Sequence, residues 1–168
     1  NYLDENKDKP IKSSDGAVMT MYASMLADID NDGTEEMLLY YTGNGACQLD
    51  IAKINGSKVK KTTGFYDNTG SASICSLDIY NDTTTNILKL CENYTETKDD
   101  EKTISISFNE YESGEFTRTS SRYKIVVDDN SEQTYYLNDN KVEEGTFEQS
   151  ISKYEKYGSW QPVNSNNE

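Results

Sequence analysis

Asp28, Asp30 and Asp32 stand at alternate positions and are followed by Gly33, Thr34 and then Glu36 at the ninth place of the stretch. A hard cation such as calcium takes about six to eight oxygens at about 2.3 to 2.6 Å, and a tight loop with carboxylates at its first, third and fifth positions can wrap them around one ion. Thr34 would add a main-chain carbonyl at the seventh position and Glu36 a carboxylate at the ninth, while Gly33 permits the sharp turn between them. The expected metal set is Asp28, Asp30, Asp32, Thr34 and Glu36, holding a structural calcium ion (Ca2+). The competing reading is a cation-free acidic turn held by side-chain to backbone hydrogen bonds, which Asp, Asn and Gly also favour.

Something must position that loop. Met19, Met21, Ala23 and Met25 alternate with the period of a strand that buries one face, and the strand runs directly into the loop. Beyond it, Met37, Leu38, Leu39, Tyr40 and Tyr41 form a continuous apolar run, the pattern of a strand covered on both faces. Leu49–Ile54 and Ser57–Thr62 flank Asn55-Gly56, a pair suited to a tight hairpin. Further strands are expected at Ala72–Tyr80, Asn86–Glu92, Thr103–Tyr111, Glu115–Ser120, Arg122–Asp128 and Thr134–Leu137, with turns at Ser113-Gly114 and Asn138-Asp139-Asn140. One helix is expected from Thr146 to Tyr157. Thr146 and Gln149 fit a capping box, Phe147, Ile151 and Tyr154 recur on one face, and Gly158 and Pro162 would stop it. The resulting organisation is a flexible stretch at 1–15, a single mostly β domain at 16–162 with its helix near 146–157, and a flexible tail at 163–168.

An EF-hand would place a bidentate Glu at the twelfth loop position between two helices; here that position is Leu39 and both flanks read as strands. The strand, the Asp-x-Asp-x-Asp-Gly-x-x-Glu loop and the apolar strand, spanning residues 20–41, resemble the FG-GAP or integrin-α-like (VCBS-type) repeat found in exported proteins of Gram-positive gut bacteria. The resemblance implies propeller-blade-like units, with calcium on the five residues named above. A blade takes roughly 40 to 50 residues, so 168 residues cannot close a propeller. The expected fold is therefore mainly β: antiparallel meander sheets with one short C-terminal helix. A second acidic segment begins at Asp78, 50 residues after Asp28, and reads as a degenerate copy in which Tyr80, Thr83 and Asn86 replace an acid, the glycine and the last acid.

Composition narrows the function. Thirty acidic against 16 basic residues give a net charge of −14, which repels nucleic acid and anionic lipid but suits a divalent cation. No apolar run approaches the length of a membrane span. The complete lack of histidine removes His-based triads and the usual zinc sites, leaving a small carboxylate-based glycoside hydrolase as the surviving enzyme class. Cys47, Cys75 and Cys91 lack metal-ligand spacing and are read as buried thiols, with one disulfide possible among them. Tyr135, Tyr136 and Trp160 could supply rings for a ligand, although such residues more often anchor a core. The chain thus reads as a monomeric, non-enzymatic module of an extracellular or envelope-anchored bacterial protein such as a lipoprotein, without its signal segment. Its function would be binding or adhesion to a surface protein or glycan, or a structural role; a carbohydrate-binding module is the alternative.

Overall fold

The computed structural model describes residues 2–55, 58–68, 70 and 73–163. A short helix α1 (Tyr2–Asn6) precedes β1 (Ile11–Lys12), β2 (Val18–Ala27), β3 (Glu36–Gly43), β4 (Ala46–Asn55) and β5 (Lys58–Asn68). These strands form an antiparallel sheet in chain order. A second antiparallel meander follows with β6 (Ser73–Asp82), β7 (Ile87–Lys98), β8 (Glu101–Glu112), β9 (Glu115–Val127), β10 (Gln133–Leu137) and β11 (Asn140–Val142). Helix α2 (Glu144–Ile151) then leads to β12 (Tyr154–Lys156), which pairs with β6, and to β13 (Gln161–Pro162), which pairs with β2. The protein is mainly β, with two curled antiparallel sheets that do not close into a barrel.

The inner faces of the two sheets share one core, in which Met25, Ala27, Leu38, Tyr40, Leu49 and Ile51 meet Leu77, Ile79, Leu90 and Phe116. The outer face of the first sheet carries Met19, Met21, Leu39 and Tyr41 beneath Tyr2, Leu3 and Ile11. The outer face of the second carries Cys91, Phe108 and Tyr123 against Phe147 and Tyr154. The alternating stripe of β2 therefore serves two faces. A bulge between Met21 and Ala23 shifts the register, so Met19 and Met21 point outward while Met25 and Ala27 enter the shared core. β3 is covered on both faces, as its unbroken apolar run predicts, with Leu38 and Tyr40 on one side and Leu39 and Tyr41 on the other.

Several expectations are corrected. The stretch expected to be a frayed N-terminus contains α1 and β1, because Tyr2, Leu3 and Ile11 cover the outer face of the first sheet. Glu115–Ser120 and Arg122–Asp128 are not two strands but the single strand β9; its pairing with β8 shifts register between Ser107 and Asn109, and that irregularity broke the sequence pattern. The helix is shorter than Thr146–Tyr157. It starts after Glu143, whose side chain makes no capping bond, and Tyr154 belongs to β12 instead. Residues 56, 57, 72 and 164–168, which carry parts of the expected turn, strands and tail, lie outside the described residues.

Candidate functional site

The loop between β2 and β3 is shaped by its own carboxylates. Asp28 accepts the N–H of Asp32 at 3.0 Å on Oδ1 and that of Gly33 at 2.9 Å on Oδ2. Asp30 accepts the Asp32 N–H at 3.3 Å, and Asp32 accepts the Thr34 N–H at 2.8 Å. These bonds fold the loop into successive side-chain-mediated turns. Asn31 and Gly33 take positive φ angles of 57° and 87°, and the requirement for glycine at 33 is conformational, since a Cβ there would touch nothing within 4 Å.

Of the five expected ligands the structure gathers three: carboxylate oxygens of Asp28, Asp30 and Glu36 all lie within 4.8 Å of one another. Oxygens this close could share one cation. Asp32 stands outside this group, its Oδ1 committed to Thr34, and Thr34 enters the loop through its N–H. Glu36, at the first position of β3, is 2% exposed. Its Oε2 accepts the N–H of Ile29 at 3.2 Å, which ties the two ends of the loop together. Burial raises the Glu36 pKa above the ordinary carboxylate value, opposed by the Ile29 and Lys53 hydrogen bonds.

Sequence spacing alone missed Lys53. Projecting from β4, the second strand of the next hairpin, its ammonium is hydrogen-bonded to Asp30, lies 3.3 Å from Glu36 Oε1 and reaches to 3.7 Å from Asp32 Oδ2. The bond to Asp30 raises the Lys53 pKa, with Glu36 adding to it against desolvation. Lys53 is an internal counter-cation for the cluster. Its side chain remains 44% exposed and so has room to swing into solvent. The only sequence signal was a lone lysine within the apolar run of β4.

The second acidic segment is arranged differently. Asp78 lies inside β6, paired to Lys156 at 3.0 Å, and the link to β7 is a four-residue turn at 83–86. That turn is anchored by Asp82, which accepts the Thr84 N–H at 3.0 Å and its hydroxyl at 2.6 Å. The 50-residue spacing therefore sets a loop residue against a mid-strand residue, and the second segment does not repeat the geometry of the first.

The three rings proposed as ligand contacts are dispersed. Tyr135 stacks obliquely on Phe147 of α2 with ring centroids 5.1 Å apart, and its hydroxyl donates to Glu144. Trp160 packs against the shared core and donates its indole N–H to the Leu77 carbonyl at 2.8 Å. Tyr136 lies on the opposite face of β10 from Tyr135, beneath the Lys124 ammonium at 4.3 Å. No family model, no curated protein and no solved structure matches this chain.

Proposed function

We propose that this chain is an exported, non-enzymatic binding module of a bacterial envelope or secreted protein in which the Asp28–Glu36 loop holds one structural calcium ion. The observation that carries the reading is the convergence of Asp28, Asp30 and Glu36 within 4.8 Å. In the calcium-bound state Asp28, Asp30 and Glu36 would be the ligands, with Asp32 and the Thr34 carbonyl completing the set and Lys53 swung outward. Export is supported by the pairing of Cys47 with Cys75, a bond that persists in oxidising compartments. The resemblance of the loop to FG-GAP repeats points the same way.

A binding rather than catalytic role is supported by the absence of histidine and by the state of the remaining thiol, since burial pushes the Cys91 pKa up to about 12. Among the described residues no helix is long and apolar enough to cross a membrane. A monomer fits the treatment of the sheet edges: β1 and β13 cover β2, β12 covers β6, and the outer strand β5 carries Lys58, Lys60 and Lys61.

Calcium titration into chelator-stripped protein tests the reading, alongside thermal melts of the wild type and of Asp28→Asn plus Asp30→Asn. One-site binding with a dissociation constant of roughly 10⁻⁴ to 10⁻³ M, as in extracellular modules, should raise the wild-type Tm and leave the variant unmoved. Heat-silent titration with unchanged melts at millimolar calcium would refute the assignment.

A further inference from the structure

Beyond the shared core the inner face of the second sheet becomes polar, and its residues stand in register. Glu92, Ser107 and Arg122 face one another across β7, β8 and β9. The next row along the same face is Tyr94, Ser105 and Lys124, continued on β10 by Tyr136. Partners in antiparallel register project to the same side, so the two rows form one surface. All of them but Tyr136 line a cavity of about 300 Å³, bounded also by Tyr123, by Asp67 from β5 of the first sheet and by Asp139 from the β10–β11 turn.

Part of this face is closed to solvent. Glu92 is only 4% exposed although it is ionisable. Asn109, two residues from Ser107 on the same face of β8 and opposite Leu90 of the core, is fully buried and does not line the cavity.

We infer that this cleft binds a short neutral saccharide, a deepening of the binding role proposed above that does not depend on the calcium loop. Each lining side chain carries a polar atom, and the surface alternates acceptors (Glu92, Asp67, Asp139), donors (Arg122, Lys124) and hydroxyls able to act as either (Ser105, Ser107). A sugar hydroxyl, which both donates and accepts, meets such a surface in full; a purely anionic or cationic ligand meets half of it as repulsion. Three carboxylates against two cations give no field that would draw in a strongly charged ligand. Tyr94, at one flank of the second row, offers a ring for the C–H side of a pyranose. The volume lies at the lower end of the roughly 300 to 1,000 Å³ usual for ligand pockets, which suits a mono- or disaccharide.

Amide NMR titrations of labelled protein with cellobiose, maltose, lactose and diacetylchitobiose, each in calcium and in chelator, test this, with galacturonate and inorganic phosphate as charged comparators. The expected result is saturable movement of the Ser105, Ser107 and Arg122 amides with at least one neutral sugar in both conditions. Arg122→Ala should weaken that binding at least tenfold, Ser105→Ala severalfold, and Trp160→Phe not at all, each variant being checked for an unchanged amide spectrum elsewhere. Binding in chelator by a protein that takes up no calcium would uphold the cleft while sinking only the loop assignment. Three outcomes overturn the inference: no saturable movement at these amides with any neutral sugar, movement centred on Trp160 instead, or tighter binding of galacturonate or phosphate.

Discussion

Lys53 decides how the acidic loop behaves without metal. Its ammonium contacts Asp30, Asp32 and Glu36, and it offsets the mutual repulsion of carboxylates that calcium would otherwise neutralise. Lys53→Met keeps the aliphatic stem over β4 and removes only the charge. In chelator the variant should melt below the wild type, because the carboxylates lose their counter-cation. In calcium it should bind more tightly, since no ammonium has to leave, and its calcium-induced rise in Tm should exceed that of the wild type. Equal calcium affinity in the two proteins would show that Lys53 does not compete for the cluster. At this scale part was legible: of the five residues expected in the loop, Asp28, Asp30 and Glu36 bring carboxylate oxygens together, while Asp32 and Thr34 stand apart from them. Lys53 was not legible, because the register of β3 on β4 brings it there and no local pattern encodes that register. The fates of Tyr135, Tyr136 and Trp160 were hidden for the same reason; similar rings at neighbouring or distant positions were divided among a helix contact, an open face and a core by the alternation of β10 and the path of the C-terminal segment.

Among the elements, the hairpins were the most readable feature where the turn residues were distinctive. Ser113-Gly114 and Asn138-Asp139 both take paired positive φ angles, as two-residue turns between twisted strands require. Asp99-Asp100 adopts the same conformation with two acids, a pair that signals polarity more than turn type. The β6–β7 turn depends on Asp82, which is 2% exposed and also lies 3.5 Å from Lys153 and 3.9 Å from Lys89. Burial pushes the Asp82 pKa upward, but the two Thr84 hydrogen bonds and both lysines outweigh it, and the net shift is downward. A carboxylate whose folded pKa is lowered contributes stability above its unfolded pKa and loses that contribution as pH falls through the folded value. Asp82→Asn should therefore cost about 1 to 3 kcal/mol at neutral pH, in the range for a buried hydrogen-bonded group. The larger penalty of a broken buried ion pair does not apply, because Lys89 keeps Glu110 as a partner. Urea unfolding of both proteins from pH 7 downward should show the gap narrowing as the pH drops below the ordinary carboxylate range; a gap independent of pH would assign the loss to the turn's shape alone.

For the whole molecule the central fact is that two meanders, each adequate to pair its own strands, share one core and are tied together at two places. The C-terminal segment runs from β12 on the second sheet to β13 on the first, with Trp160 between them against the shared core. The Cys47–Cys75 disulfide joins β4 to β6, one strand from each sheet, across a sequence separation of 28. None of this could be read from three unpatterned cysteines, since any pairing was compatible with their spacing; the choice follows from which strands face each other across the core. Cys91 is excluded because it lies on the outer face, in the cluster with Phe108 and Tyr123. Closing a loop of that length restricts the unfolded chain enough to stabilise the fold by about 3 to 4 kcal/mol on the chain-entropy account. Cys47→Ala plus Cys75→Ala should lose that amount in urea unfolding, and the wild type should match the variant once reductant is added. Cys91 in the wild type should stay unreactive towards iodoacetamide in the native state and alkylate only on unfolding, because it is buried with its pKa pushed up to about 12. Alkylation of two or more cysteines in native, non-reduced protein would refute the pairing, and with it the argument that an oxidising compartment is where this two-sheet fold is held closed.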